Sequence, residues 1–275
     1  MFKDAVVVIT GGSSGLGKAL AMRFIGRGAT LALIARDRNK LAEIREDLVA
    51  MCVPGQSVEV FPCDVSDHAA VEKTLNTIKD TVGSPDILIN SAGILREGYF
   101  DKLPLSTFRE VMDINYFGTL NCTKALIPIF RKKGRGRIVN ISSLGGRIET
   151  FGYAAYCSSK FAVVGLTDVL RAELKPLKIK CHLVCPGEFE SPMVDELNTY
   201  RTEENRVVTQ TVPVLTLDAA ADEVMKGIQK DQYLIIPGSV ARFLEMTSRW
   251  FPSISRFIVD FQIRRVYQGP KLSRI

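Results

Sequence analysis

Thr10-Gly11-Gly12-Ser13-Ser14-Gly15-Leu16-Gly17 is the stretch that decides the fold. It follows an apolar run, residues 5–10 (AVVVIT), and opens a segment, 15–27, in which Leu16, Leu20, Phe24 and Ile25 form a helical stripe. Gly11 permits a tight turn, Gly15 lets a pyrophosphate approach the backbone, and Gly17 lets helix and strand pack closely. Ser13, Ser14 and Leu16 fill the rest of the turn. The helix N-terminus offers free N–H groups and partial positive charge to an anion. Glycine clusters also serve ordinary turns. The placement of this one, between strand and helix near the N-terminus, points to dinucleotide binding.

Outward from the turn, strand and helix alternate. Residues 30–35 (TLALIA), 57–62 (SVEVFP), 86–90 (DILIN), 137–142 (RIVNIS), 180–185 (KCHLVC) and 233–237 read as further short strands. Helical spacing separates them over 38–51, 68–82, 105–131, 153–176 and 217–230. This alternation predicts an α/β fold with seven parallel strands and helices on both faces of the sheet. The 275 residues suit one large α/β domain, without linkers, low-complexity stretches or short repeats.

Composition narrows the function classes. Hydrophobic residues make up 46% of the chain, which supports a sizeable core. The net charge of +6 favours anionic ligands or lipid surfaces. The basic residues form no nucleic-acid reading motif, so no nucleic-acid partner is expected. The six cysteines include no C-x-x-C pair, and His68 and His182 are the only histidines, so no metal site is expected. Cys63, Cys181 and Cys185 fall in strands and read as buried thiols of a reducing compartment, which makes the expected location cytoplasmic. Residues 1–4 lead straight into the first strand, leaving no room for a signal peptide or N-terminal anchor.

The second strand runs into Arg36-Asp37-Arg38, where the adenosine ribose is read. Arg36 and Arg38 favour a 2′-phosphate and thus NADP(H). Asp37 competes, since a carboxylate there can accept from a ribose diol.

Tyr156 and Lys160 stand four residues apart, on one face of a helix. A free phenol titrates near about 10, too high for easy acid–base work at neutral pH. A neighbouring ammonium and a positively charged nicotinamide are expected to lower that value. Ser143, just past a strand end, can hydrogen-bond a substrate carbonyl. These groups predict hydride transfer to or from a carbonyl carbon, with Tyr156 moving the proton.

With those residues in place, the chain resembles the short-chain dehydrogenase/reductase family. The matching motifs are the glycine turn, Cys63-Asp64-Val65, Asn90-Ser91-Ala92-Gly93, Asn115, Ile141-Ser142-Ser143, Tyr156 to Lys160 and Pro186-Gly187, which together span residues 5 to about 195. The resemblance implies a doubly wound Rossmann sheet of order 3-2-1-4-5-6-7. It implies that Lys160 binds the nicotinamide ribose and tunes Tyr156, and that Asn115 holds a water behind Lys160. Asp64 and Val65 would meet adenine, Asn90, Ala92 and Gly93 would line the cofactor, and Pro186, Gly187 and Ser191 the nicotinamide. Ser191 stands where the family usually has Thr. Within the family the chain is most similar to 3-ketodihydrosphingosine reductases. That implies reduction of the 3-keto group of a sphingoid base, at a membrane. Alternatives are a 3-oxoacyl-thioester, steroid or general carbonyl reductase, or a non-catalytic NADP(H)-binding sensor or scaffold at a membrane.

Two segments bear on the substrate. Residues 187–212 are polar and irregular and read as a mobile lid or an ordinary surface helix. Residues 239–275 form a hydrophobic and basic extension to the domain of residues 1–238. Its aromatics, among them Phe243, Trp250, Phe257 and Phe261, alternate with Arg242, Arg249, Arg256, Arg264 and Arg265. The pattern suits a helix lying in a membrane interface, or a dimer contact. The charges forbid a span of about 20 apolar residues. Assembly into a homo-oligomer through the 105–131 and 153–176 helices is expected from the family likeness.

Overall fold

The computed structural model describes residues 2–268; Met1 and residues 269–275 of the expected extension lie outside it. Seven parallel strands form one sheet in the order β3-β2-β1-β4-β5-β6-β7. They are β1 (Val6–Thr10), β2 (Thr30–Ala35), β3 (Val58–Pro62), β4 (Ile87–Asn90), β5 (Gly136–Ile141), β6 (Ile179–Val184) and β7 (Leu234–Ile235). The predicted edge strand over 233–237 is shorter than expected and pairs with β6 through Leu183 and Val184.

Alternation along each strand divides the core in two. Val7 and Ile9 of β1, with Leu31 and Leu33 of β2, face α1 (Gly15–Ile25), α2 (Arg38–Val49) and α9 (Leu217–Gln229), where Phe24, Ile44 and Val224 are buried. Val8, Ala32 and Ile34 point the other way, to α3 (His68–Thr81), α5 (Gly118–Lys133) and α6 (Ala154–Leu174), against Leu75, Phe130 and Leu170. Each large apolar side chain buried in this way contributes roughly 1.5–3 kcal/mol. Period-2 strands apolar on both sides can only be satisfied by helices on both faces.

Three predicted elements differ in detail. The single helix expected over 105–131 is α4 (Leu105–Met112), a π turn (Asp113–Phe117) and α5. The π turn adds a residue and re-aims Asn115 inward. Gly118 follows it because a Cβ there would lie 2.6 Å from a Val65 methyl. The segment 187–212 contains two short helices, α7 (Pro192–Asn198) and α8 (Glu203–Thr209). Its polar residues are partly inward: Arg201 places both terminal guanidinium nitrogens on Glu188, at 3.0 and 2.6 Å, and Glu204 and Asn205 are buried. The C-terminal extension is helical, as α10 (Ser239–Trp250) and α11 (Pro252–Gln268), with Pro252 opening the second helix.

Candidate active site

The strand order reverses between β1 and β4, so a crevice opens at their carboxyl ends. Sterics fix the turn beside it. Gly11 has φ +65°, and a Cβ there would lie 2.8 Å from the Ala92 nitrogen. On Gly17 it would lie 2.2 Å from the Gly11 carbonyl oxygen, whereas on Gly15 (φ +48°) it would meet open space. The Thr10 hydroxyl accepts from the Ser91 and Ala92 amides, each at 3.1 Å, and draws the end of β4 onto the turn. The Ser14 side chain makes no cap bond to α1, and the helix's first turn holds no acidic residue. An uncapped helix start behind an open glycine fits the pyrophosphate of a dinucleotide.

At the edge beyond the turn, Asp37 accepts from the Asn39 and Lys40 amides at 3.0 and 3.1 Å and caps α2. Arg38 becomes the first residue of that helix. Arg36 remains largely exposed, 3.9 Å from the Asp64 carboxylate. Asp64 also accepts from the amide and hydroxyl of Ser66, at 2.9 and 2.7 Å. Val65 is buried. Asn90 departs from expectation. Its amide turns into the interior, donating to Asn140 at 2.8 Å and Thr123 at 3.0 Å, while its own oxygen is buried without a partner. It braces β4 against β5 and does not line the crevice.

Ser142 and Ser143 end β5 on opposite sides. The Ser142 hydroxyl donates to the Lys160 carbonyl at 2.9 Å, and Ser143 faces the crevice, accepting from the Gly145 amide at 3.1 Å. Helix α6 presents Tyr156 and Lys160 to the same space, with the Lys160 ammonium 5.6 Å from the Tyr156 ring centre. That ammonium donates to the Ile141 carbonyl at 3.0 Å. Burial pushes the Tyr156 phenol up to about 12, opposed by a hydrogen bond with Ser143. Burial lowers Lys160 to about 8. In the protein alone desolvation dominates the phenol, and Ser143 is the opposing group.

Asn115 is fully buried. Its side chain accepts from the Ile94 amide at 2.8 Å and donates to the Ile94 carbonyl and the Ser159 hydroxyl, both at 2.9 Å. It clamps the loop after β4 to α6, just behind Gly93, where a Cβ would lie 3.1 Å from its oxygen.

One cavity of about 270 Å³ unites the parts. At one end it meets Gly11, Ser14, Gly15, Leu16, Ala92 and Gly93. At its centre are Ser143, Tyr156 and Lys160, with Pro186, Gly187 and Ser191 beside them. The Ser191 hydroxyl also caps α7. Ser13, Gly17, Arg36, Arg38, Asp64, Val65, Asn90 and Asn115 lie outside its wall. The far end was not visible in sequence. It is formed by Glu149 and Tyr153, by Val208 of α8, by Leu244 of α10, and by Ile258 and Val259 of α11. The one local signal was the position of Glu149 and Tyr153, in the short loop between Ser143 and Tyr156.

A family model described as short chain dehydrogenase matches residues 5–202. The chain belongs to that family. The 3-ketodihydrosphingosine reductase of Mus musculus is 34% identical over 224 residues, covering 81% of this chain and 68% of that protein. Dehydrogenase/reductase SDR family member 7B of Xenopus tropicalis is 35% identical over 247 residues, covering 86% and 79%. A short chain dehydrogenase/reductase of Burkholderia phymatum, solved in complex with NAD, superimposes with a TM-score of 0.81 at 23% identity, over 92% of this chain and 95% of that one. Like its family, the chain is an oxidoreductase acting on a carbonyl or hydroxyl group with a nicotinamide cofactor.

Proposed function

We propose that the chain reduces the 3-keto group of 3-ketodihydrosphingosine with NADPH. The observation that carries this reading is the continuity of the cavity. One opening runs from the glycine turn, past Ser143 and Tyr156, into an apolar end walled by α8, α10 and α11. A long alkyl chain needs such an end beside the reacting carbon.

The charges of the wall choose among ketones. Lys160 is the only cation lining the cavity among the described residues, while Glu149 and Glu188 both reach it. Glu188 is held by Arg201, and Glu149 has no ion pair among the described residues. Such a wall suits a substrate bearing an ammonium next to its ketone, as a sphingoid ketone does. It offers nothing to the phosphates of an acyl thioester.

NADPH supplies the hydride when bound. Arg36 supports the 2′-phosphate form, because the competing Asp37 is occupied in capping α2. Tyr156 gives its proton to the carbonyl oxygen as negative charge develops there. The Ser143 hydroxyl donates to the same oxygen. A phenol pushed up to about 12 keeps its proton at neutral pH, the state that reduction requires. The Lys160 ammonium, over the ring, stabilises the phenolate left behind.

Work at the cytoplasmic face of a membrane, and assembly through α5 and α6, belong to the same proposal; Phe161 stands exposed on the outer side of α6. The test is consumption of NADPH and of NADH with 3-ketodihydrosphingosine, a 3-oxoacyl thioester and a steroid ketone. Turnover of the sphingoid ketone with NADPH, well above the others, is expected. Turnover of the thioester alone overturns the reading.

A further inference from the structure

Helices α10 and α11 each line the cavity on one face and carry an exposed apolar stripe on another, where a surface helix ordinarily buries its one apolar face. On α10, Leu244 and Thr247 line the cavity, while Val240, Phe243, Met246 and Trp250 are exposed. On α11, Ser255, Ile258, Val259 and Gln262 line it, while Ile254, Phe257 and Phe261 are exposed. The spacing of each exposed set, three or four residues, makes one continuous stripe per helix. Trp250 is 73% exposed and Phe257 68%, so most of each large aromatic faces solvent. An apolar stripe of this extent marks an interaction surface.

The charges beside the stripes name its occupant. Arg249, Arg256, Arg264 and Arg265 form no ion pair among the described residues, against Asp260 as the one acid of α11. Arg265 lies over the Phe261 ring at 5.2 Å. Aromatic rings flanked by unpaired arginines match an interface of acyl chains beneath anionic headgroups. No described helix is long and apolar enough to cross a membrane, so the pattern fits a segment lying along the surface. The hairpin is also well fixed. Arg147, in the turn after Ser143, donates through Nε to Glu245 of α10 at 2.9 Å and through a second nitrogen to the same oxygen, and both side chains are largely buried.

We infer that α10 and α11 dock the protein on an anionic bilayer and pass a bilayer-borne ketone along their inner faces to Ser143 and Tyr156. The docking half stands on the exposed stripes alone. The delivery half rests on the lipid substrate proposed above. A chain leaving the bilayer along Ile258, Val259 and Leu244 meets apolar side chains on its way to the reacting carbon, which reduces its transfer through water.

The test uses the full chain and its single tryptophan, Trp250. Vesicles of phosphatidylcholine mixed with phosphatidylglycerol are expected to pellet the protein and shift Trp250 emission to the blue, more weakly in high salt; pure phosphatidylcholine gives little of either. A variant with Phe243→Ser, Phe257→Ser and Phe261→Ser, none of which lines the cavity, is expected to stay in the supernatant. It should lose about tenfold or more in turnover of vesicle-borne 3-ketodihydrosphingosine, with turnover of a short water-soluble ketone unchanged. Equal pelleting of variant and native protein, or unmoved Trp250 emission, overturns the docking. So does a native dimer in sedimentation that the triple variant dissolves, since the stripe is then a contact between copies. Pelleting and a blue shift without turnover of any ketone keep the docking and remove the proposed substrate.

Discussion

The cofactor side and the C-terminal side of the cavity are built on opposite plans. At the glycine turn the constraints are mostly backbone against backbone: a Cβ on Gly17 would lie 2.2 Å from the Gly11 carbonyl oxygen, and the Thr10 hydroxyl holds two amides of the loop after β4. At the other end the wall is side chains from α8, α10 and α11, joined to the catalytic turn by a buried charge pair. Backbone constraints admit few residue types and so fix a common ligand. Side-chain walls admit many, and there one member of a family differs from the next. The two sides meet at Tyr156, which belongs to neither.

Substitutions that act on one side only can break that division. The largest effect is expected at the meeting point. Tyr156→Phe removes the proposed proton donor, and kcat should fall about a hundred- to ten-thousandfold while NADPH affinity, read by fluorescence titration, stays within a factor of about two. Next, Glu245→Ala leaves Arg147 buried without a counter-charge. A loss of about 3 kcal/mol in urea unfolding is expected, with NADPH affinity again little changed. If cofactor affinity collapses as well, the sides are not separable. On the cofactor side, Arg36→Ala should lower the preference for NADPH over NADH about tenfold, in the ratio of kcat/KM values, with KM for the ketone unmoved. The smallest effect is a slope. Lys160 titrates at about 8 when folded and at 10.5 as an ordinary lysine. Between those values the unfolded chain holds a proton that the folded one has released, so stability from this residue rises with pH. The native protein should therefore gain on Lys160→Met as pH is raised from 8 toward 10.5, in paired urea melts.

The legibility of the sequence follows the same line. The parallel sheet and the glycine turn could be read from Gly11, Gly17 and the apolar strands, because these requirements are local and leave few alternatives, while the strand order followed only from the family resemblance. Tyr156, Lys160 and Ser143 were legible by spacing. The π turn was not: one extra residue between Met112 and Gly118 changes no periodicity that a helical pattern would betray. The inward turn of Asn90 depends on Asn140, and the clamp made by Asn115 on Ile94 and Ser159, so neither residue could be placed from its own segment. The segment 187–212 read as solvated because Arg201 and Glu188 are charged, and their bidentate pairing appears only once the fold brings them together. The extension was legible as aromatic and basic, but nothing in it announced that its inner face would complete the cavity.

The pair between Arg147 and Glu245 spans 98 residues of chain, and this bears on the order in which the protein is made. Synthesis delivers the arginine long before its carboxylate, when the strands through β5 have already emerged. Until α10 follows, the turn beside Ser143 holds a cation with no counter-ion and must keep it in water. A nascent chain can thus form its glycine turn early, while the turn beside Ser143 waits for one of the last helices to be translated.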